Sequence, residues 1–365
     1  MASLRVVIID RPAWYRPVIE QEELVKVDGE VLVGWDRLGA SKDLDPAAVA
    51  RGQTVEQLSM VGPVWIPTHE HTEDTIFRMA HDADAIVVTR ARVSASLMDR
   101  LPRLRVIGRP GIGFDIIDID AATARGIAVF NAPGFCAREV ADHTIMLMLC
   151  CARKVPMLYS AMRSGLVDAS TASPIMASYE MTLGLVAFGE IAREVALRAK
   201  AFGFRIIASD PFVGQAVADP FGVTMVSLDE LLAESDIVSV HAPLGKQTFH
   251  LLGEREFSMM KPNAYVVNTS RGPVIDESAL VAALMSGRIA GAGLDVFERE
   301  PLSSDSPLLS MNNVILTPHT GGISDSSAIA TKRRTMRNIA NALTGEWPDT
   351  RDLINPQVKA NLRRV

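Results

Sequence analysis

The sequence predicts an α/β protein built on parallel sheets, and three observations carry that expectation. Short β-branched apolar runs alternate with amphipathic, helix-length segments along most of the chain. The runs are continuously apolar, as strands covered on both faces must be. The alternating series also occurs twice, once over residues 1 to about 132 and again from about 182 to 318. A chain of 365 residues suits two domains of this kind better than one.

In the first series the expected strands are Leu4–Ile9, Ala85–Thr89, Leu104–Ile107 and Ala128–Phe130. In the second they are Leu183–Val186, Arg205–Ser209, Ile237–His241, Ala264–Asn268, Gly291–Val296 and Val314–Leu316. Most end at Asp, Gly, Pro or Thr, which favour turns. Helices are expected at Ser94–Arg100, Ala121–Arg125, Ala137–Ala152, Ile191–Ala201, Leu228–Glu234, Ser278–Ser286 and Ser326–Leu343. Residues 36–75 lack periodicity and are expected to form a long loop, and Ser160–Ser178 reads as poor in structure. The domains expected are residues 1–132, a contiguous 133–318, and 319–365 returning to the first.

Composition excludes several classes. A net charge of −6 argues against a nucleic-acid-binding surface, which needs concentrated Lys and Arg. Three cysteines, Cys136, Cys150 and Cys151, make no disulfide framework and fit a reducing compartment. The opening segment turns polar too soon for a signal peptide, and the apolar runs are too interrupted for a membrane span. A cytoplasmic protein without a membrane partner is therefore expected.

The most informative stretch is Met181–Asp210. A strand enters the small-residue turn Ala187-Phe188-Gly189-Glu190-Ile191-Ala192, a helix follows, and a second strand ends at Asp210. This is the register of a dinucleotide-binding βαβ unit, with the helix N-terminus facing a pyrophosphate and an acid about 20 residues on for the ribose hydroxyls. The G-x-G-x-x-G pattern reads A-x-G-x-x-A here. Gly189 survives where backbone must approach phosphate, Ala192 stands at a helix-packing position, and Ala187 constrains the tight turn. No Lys or Arg follows Asp210 in Pro211-Phe212-Val213, so NAD is favoured over NADP.

Seven further segments occur in a fixed order: Arg109-Pro110-Gly111-Ile112-Gly113-Phe114-Asp115; Val140-Ala141-Asp142-His143-Thr144; Thr182–Val186; His241-Ala242-Pro243; Asn268-Thr269-Ser270-Arg271-Gly272 with Val274-Ile275-Asp276; Gly293-Leu294-Asp295-Val296-Phe297 with Glu300-Pro301; and Leu316-Thr317-Pro318-His319-Thr320-Gly321-Gly322. Together they resemble the D-2-hydroxyacid dehydrogenase family, over roughly residues 84 to 352. That family includes D-3-phosphoglycerate dehydrogenases, glyoxylate and hydroxypyruvate reductases, and the CtBP-type corepressors. The resemblance implies two Rossmann-like parallel-sheet domains, a split flavodoxin-like substrate domain and a contiguous NAD-binding domain, in a homodimer. By motif match it implies Arg271 as the residue gripping the substrate's carboxylate and keto oxygen, His319 as the acid/base and Glu300 as its carboxylate partner. It also implies cofactor contacts from Ile112, Gly189, Glu190, Ile191, Asp210, Ala242, Pro243, Thr269, Ser270, Arg271, Asp295, His319, Gly321 and Gly322. Substrate contacts are implied at Gly111, Ile112 and Gly113, and Arg90 is a further candidate beside Arg92.

The residue types suit reduction of a 2-keto acid, which needs a hydride on carbon and a proton on oxygen. Imidazolium delivers a proton near neutral pH, a neighbouring carboxylate favours the charged ring, and a guanidinium grips carboxylate and ketone with a planar fork of donors. Taken singly, Arg271 reads more readily as a strand-end cap, His319 as a turn histidine and Glu300 as a solvated acid. Their convergence on the strand ends of one parallel sheet favours function. His143 and His241 read as hydrogen-bonded structural histidines, and Cys150-Cys151 as core. His69-Glu70-His71 with Asp74 has metal-like composition, but residues two apart share no helix face, so no metal site is expected.

Phosphoglycerate dehydrogenases carry an Arg where Val88 stands here, which argues against phosphoglycerate, and formate dehydrogenases carry Gln where Glu300 stands. Two readings remain beside the enzyme: an NAD-sensing scaffold of the CtBP type, and a protein whose cofactor grip is lost through Ala187, Glu190 and Ala192.

Overall fold

The computed structural model describes residues 4–11, 16–37, 71–166, 168–347 and 351–362. The chain forms two compact units, Met1–Phe135 with Ile323–Val365, and Cys136–Gly322. The changes of unit fall a few residues beyond the boundaries expected at 132 and 318.

The first unit holds a five-stranded sheet of β1 (Leu4–Ile8), β2 (Gly29–Val33), β3 (Ala85–Val87), β4 (Val106–Gly108) and β5 (Ala128–Phe130), in the order β2-β1-β3-β4-β5 and parallel throughout. This is the flavodoxin-like order, whose switch point lies between β1 and β3. Alternate residues face opposite sides. Val7, Ile86, Ile107 and Val129 pack with Leu97, Met98 and Ile76. On the other face Val6, Ile8, Val106 and Phe130 meet Met336, Ile339 and Leu343 of helix Asp325–Thr344. That helix starts at a Ser324 capping box, stops at Gly345 in the left-handed region, and approaches closely at Gly108, where a Cβ would lie 2.6 Å from Ile339 Cδ1.

The second unit holds β6 (Thr182–Val186), β7 (Arg205–Ser209), β8 (Thr224–Met225), β9 (Ile237–Val240), β10 (Tyr265–Asn268), β11 (Gly291–Leu294) and β12 (Val314–Leu316). Their order is β12-β11-β10-β9-β6-β7-β8, again parallel, with the switch point between β6 and β9. Leu183, Leu185, Ile206 and Val267 pack with helices Ala137–Ala152 and Glu190–Ala201 through Leu147, Met148, Val195 and Ala196. Val186, Val238, Val240 and Val266 pack with Leu231, Phe257, Leu280 and Leu284 on the opposite face. The loops leaving β6, β9, β10, β11 and β12 therefore emerge from the same end of one parallel sheet.

Several elements depart from expectation. Strands β2 and β8 were unforeseen. β2 follows a left-handed Asp28 and begins at Gly29, whose missing Cβ leaves room for Leu24. β8 is a two-residue edge strand, too short for any period. Of the loop expected over 36–75, residues 38–70 lie outside the described residues, and a helix, Glu73–Ala80, begins inside it, capped by the Thr72 hydroxyl. The stretch Ser160–Ser178 contains the end of helix Val155–Arg163 and the 3-10 turn Ala169–Ala172, and a second, Ser178–Glu180, begins at its last residue. No single helix among the described residues is long and apolar enough to cross a membrane.

Candidate functional site

β10 delivers a rigid turn. Asn268, only 1% exposed, accepts the Ser270 N–H at 3.0 Å and the Ser270 hydroxyl at 2.8 Å through Oδ1. Its Nδ2 donates to the Arg271 carbonyl at 3.0 Å. One buried amide thus ties the backbone on both sides of Arg271, and the Arg271 guanidinium donates to the Ser270 carbonyl at 2.8 Å. The next residue must be glycine, since a Cβ on Gly272 would lie 1.9 Å from the carbonyl carbon of Phe297. The Arg271 turn therefore rests directly on the backbone leading to Glu300.

Nδ1 of His319 lies 2.8 Å from Glu300 Oε2, and Glu300 Oε1 accepts the Phe297 N–H at 3.3 Å. His319 adopts φ +56°, and its N–H donates to the carbonyls of Asp295 at 2.8 Å and Thr317 at 3.0 Å. The ring is 39% exposed, so the imidazole is accessible while its orientation is held.

Beneath this pair, Asp295 is 2% exposed. Oδ1 accepts from the Thr317 hydroxyl at 2.6 Å and the Thr320 N–H at 2.9 Å, and Oδ2 from the Gly321 N–H at 2.8 Å. Burial raises its pKa, but His143 and these donors outweigh burial and hold the carboxyl below its ordinary range. Gly321 leaves space here, because its Cβ would sit 2.9 Å from Asp295 Oδ2, and Gly322 packs likewise on Cys136. His143 Nε2 shares a hydrogen bond with Thr317 Oγ1 at 2.9 Å, and Thr144 Oγ1 with Thr269 Oγ1 at 2.8 Å. The helix Ala137–Ala152 thus anchors two of the site's loops.

In the β6–helix–β7 unit, Ala187 takes φ +70°, the backbone that glycine at the first fingerprint position would adopt without cost. Asp210 Oδ2 accepts the Phe188 N–H and Oδ1 the Phe212 N–H, both at 2.8 Å. Gly189 caps helix Glu190–Ala201, and a Cβ there would meet nothing within 4 Å. The protein itself does not demand this glycine. The open space it leaves suits a close-approaching pyrophosphate, and the helix's first N–H groups, Glu190 and Ile191 among them, lack intrahelical partners. Ala192 is fully buried in the core, which accounts for a small side chain at the third position. The residues present therefore fit a dinucleotide. Beyond β9, Ala242 is buried and Pro243 exposed. His241 Nε2 meets Ser239 Oγ at 2.9 Å, and burial pushes this imidazole down to about 4, a neutral structural histidine rather than a proton donor.

In the first unit, the loop after β3 is pinned by buried Asp10, whose carboxylate accepts the N–H groups of Thr89, Arg90 and Ala91 at 2.5, 3.1 and 2.8 Å. The loop after β4 differs from expectation. Gly111 N–H donates to the Arg109 carbonyl at 2.8 Å and so is not available to a substrate. A Cβ on Gly111 would meet the Arg109 guanidinium, the mobile end of a long side chain. The Asn131 Nδ2 donates to the Ile112 carbonyl at 2.7 Å. Among the described residues the N–H groups of Ile112 and Gly113 have no protein acceptor. Of the group containing His69, Glu70, His71 and Asp74, the first two lie outside the described residues, and His71 is buried 3.6 Å from Asp10.

Sequence reasoning missed Asn268, Gly272 and Asp10 as supporting residues. Asn268 and Gly272 flank Arg271 in one motif, which was a usable signal. Asp10 binds a loop 79 residues away, which no local pattern discloses.

Residues 145–321 match the family profile described as "D-isomer specific 2-hydroxyacid dehydrogenase, NAD binding domain". The chain is 39% identical over 294 residues to a D-3-phosphoglycerate dehydrogenase of Methanocaldococcus jannaschii, covering 80% of this chain and 56% of the relative. It is 38% identical over 299 residues to a glyoxylate reductase of Korarchaeum cryptofilum, covering 81% and 90%. The chain thus spans about half the length of the curated phosphoglycerate dehydrogenases it matches. Among solved structures, D-lactate dehydrogenase from Aquifex aeolicus, complexed with NAD and lactic acid, is similar at a TM-score of 0.77 and 26% identity, covering 96% of this chain and 99% of that one.

Proposed function

The chain belongs to the D-isomer-specific 2-hydroxyacid dehydrogenase family, and on that premise we propose that it interconverts a small 2-keto acid and its D-2-hydroxy acid with NAD. The cofactor, when bound, supplies or accepts the hydride. The protein's own task is to hold the acid, polarise its carbonyl and move one proton.

Arg271 grips the carboxylate and keto oxygen with its fork of N–H donors, on a turn that Asn268 and Gly272 keep from shifting. His319 gives a proton from Nε2 to the keto oxygen during reduction and takes it back during oxidation. Glu300, bonded to Nδ1, keeps the ring oriented and balances the positive charge of the imidazolium. Asp295 holds the Thr317–Gly321 turn from which His319 projects. Asp210, with no Lys or Arg following it, meets the adenosine ribose and favours NAD over NADP, and Gly189 with the following helix N-terminus receives the pyrophosphate. In the first unit, the Ile112 and Gly113 amides and Arg90 are the groups suited to a carboxylate. The same reading includes a cytoplasmic homodimer with no nucleic-acid or membrane partner.

The single observation that carries the proposal is the 2.8 Å contact between His319 Nδ1 and Glu300 Oε2 on the sheet edge that also bears Arg271. The test is NADH oxidation with a panel of 2-keto acids, from glyoxylate, pyruvate and hydroxypyruvate to oxaloacetate and bulkier acids. Turnover with at least one supports it. NADH that neither quenches Trp fluorescence nor raises the melting temperature, together with no turnover, refutes it.

A further inference from the structure

A second histidine cluster lies on the same sheet edge, outside the groups just assigned. His250, in the loop after β9, adopts φ +51° and stacks on the Phe249 ring at a centroid distance of 3.9 Å. Its Nε2 lies 2.6 Å from Glu298 Oε1, and its Nδ1 lies 3.8 Å from Asp276 Oδ2. The three residues come from three loops. Asp276 follows the Arg271 turn, and Glu298 precedes Glu300 by two residues.

The backbone around this ring is interlocked. His250 N–H donates to the Pro273 carbonyl at 2.8 Å, Leu252 N–H to the Val274 carbonyl at 3.2 Å, and Asp276 N–H back to the Leu252 carbonyl at 2.9 Å. The loop after β9 is therefore zipped to the chain leaving Arg271. Glu298 N–H donates to Glu277 Oε2 at 3.0 Å, and Glu277 N–H to Glu298 Oε1 at 3.1 Å. The Glu300 loop is thereby fixed to the helix that begins just past Asp276. These joints flank the place where Gly272 touches Phe297 and Glu298 backbone.

We propose that His250 is a positioning residue for the reaction. With Nε2 in contact with Glu298 Oε1 at 2.6 Å while its backbone N–H holds the Pro273 carbonyl, it keeps the Arg271 turn and the Glu300 loop in one fixed register. The carboxylates facing the ring are Glu298 and Asp276, with Glu277 sharing Glu298. The same three side chains have the composition of a cation site, and among the described residues they form the one such group. A single ion takes one ring nitrogen, however, whereas here the two acids face different nitrogens.

The inference rests on the proposed dehydrogenase reading for its kinetic consequence, so the test has an arm that needs no substrate. In the whole protein, His250→Ala is expected to lower kcat for the preferred 2-keto acid at least about tenfold, within the about hundredfold that an ångström of misplacement costs. NADH affinity stays within about twofold, because the cofactor contacts proposed above are untouched. His250→Gln, which keeps one donor for Glu298, recovers part of the loss and guards against a variant that fails to fold. Adding Glu298→Gln to His250→Ala costs little more, since both remove one interaction. Independently of turnover, the ring ¹⁵N–¹H correlations of His319 are expected to change in His250→Ala and return in His250→Gln. A His319 spectrum unchanged in folded His250→Ala overturns the proposal. So does stoichiometric Zn²⁺ binding that His250→Ala abolishes, which would make the cluster a cation site. Absence of turnover in the unmodified protein counts against the dehydrogenase reading alone, and the spectra still decide the role of His250.

Discussion

Nδ1 of His319 lies 2.8 Å from Glu300 Oε2, while Glu300 Oε1 accepts the N–H of Phe297. Among the described residues this leaves Nε2 as the ring nitrogen that no protein group occupies, and the proposed mechanism assigns it to the substrate. Replacing Glu300 by Gln keeps a hydrogen-bond acceptor but removes the charge opposite the imidazolium. Glu300→Gln is expected to lower kcat by less than His319→Ala does, with NADH affinity retained in both. Equal losses in the two variants would remove the distinction between proton donor and partner.

Gly272 joins the two halves of the site. Its Cβ would fall 1.9 Å from Phe297 backbone, so Gly272→Ala must push the Arg271 turn off the Glu300 loop. Overpacking of this kind costs about 1–3 kcal/mol of stability. Activity is expected to fall further than stability, with KM for the keto acid rising through displaced Arg271. Melting curves and steady-state kinetics on the same sample check this, and an unchanged KM counts against it.

Ala187 occupies the left-handed region at the fingerprint's first position. A non-glycine residue there costs roughly 1–2 kcal/mol, and glycine's extra chain entropy returns about 0.5–1 kcal/mol of that. Ala187→Gly is therefore expected to be neutral or slightly stabilising, with NADH bound at least as tightly. Ala187→Val, β-branched at the same backbone angle, is expected to destabilise the second unit. A stabilising Val variant would contradict the strained-turn account.

Asp210 bonds two backbone N–H groups and keeps lone pairs for a ribose. A hydrogen bond to a charged group contributes about 1.5–3 kcal/mol, so Asp210→Ala is expected to weaken NADH roughly 10- to 100-fold. NADPH binding should weaken less or improve, because the acid no longer repels a 2′-phosphate. Titration of both cofactors by fluorescence measures the ratio, and parallel losses would place the adenosine end elsewhere.

Asp295 gives the fold a pH dependence of known sign. Its native pKa lies below the ordinary Asp range, so the unfolded chain binds the proton more readily. The stabilisation is fully present above the ordinary Asp range and is lost as pH falls through it toward the lowered native value. Urea midpoints are expected to drop between neutral and acid pH, and Asp295→Asn to flatten that drop while lowering stability at pH 7 by about 1–3 kcal/mol, since an amide cannot accept from all the donors around it. An unaltered acid slope in Asp295→Asn would contradict this.

How much of this was legible depended on range. The β6–helix–β7 unit declares itself because strand, turn, helix and acid are contiguous, and Asp210 stands where that pattern requires. Arg271, Glu300 and His319 lie at the ends of apolar runs that read as strands, so their common edge follows from a parallel sheet alone. What was hidden is long-range or conformational. Asp10 serves a loop far away in sequence, Gly111 proves to have its amide engaged, and the left-handed backbone of Ala187 and His319 leaves no mark in residue type. β2 escaped although its residues alternate in burial, because its apolar run is only Val31-Leu32-Val33, and helix Glu73–Ala80 because its capping Thr72 follows a segment without periodicity.

In the proposed mechanism His319 moves the proton, while most of the cofactor grip comes from other residues, Gly189 and Asp210 foremost. The most direct measurement pairs kcat for the preferred 2-keto acid with the NADH dissociation constant in His319→Ala. The predicted result is a fall in kcat of about 10²- to 10⁴-fold with NADH binding essentially unchanged. A variant that retains turnover while His319 is gone would contradict the assignment outright.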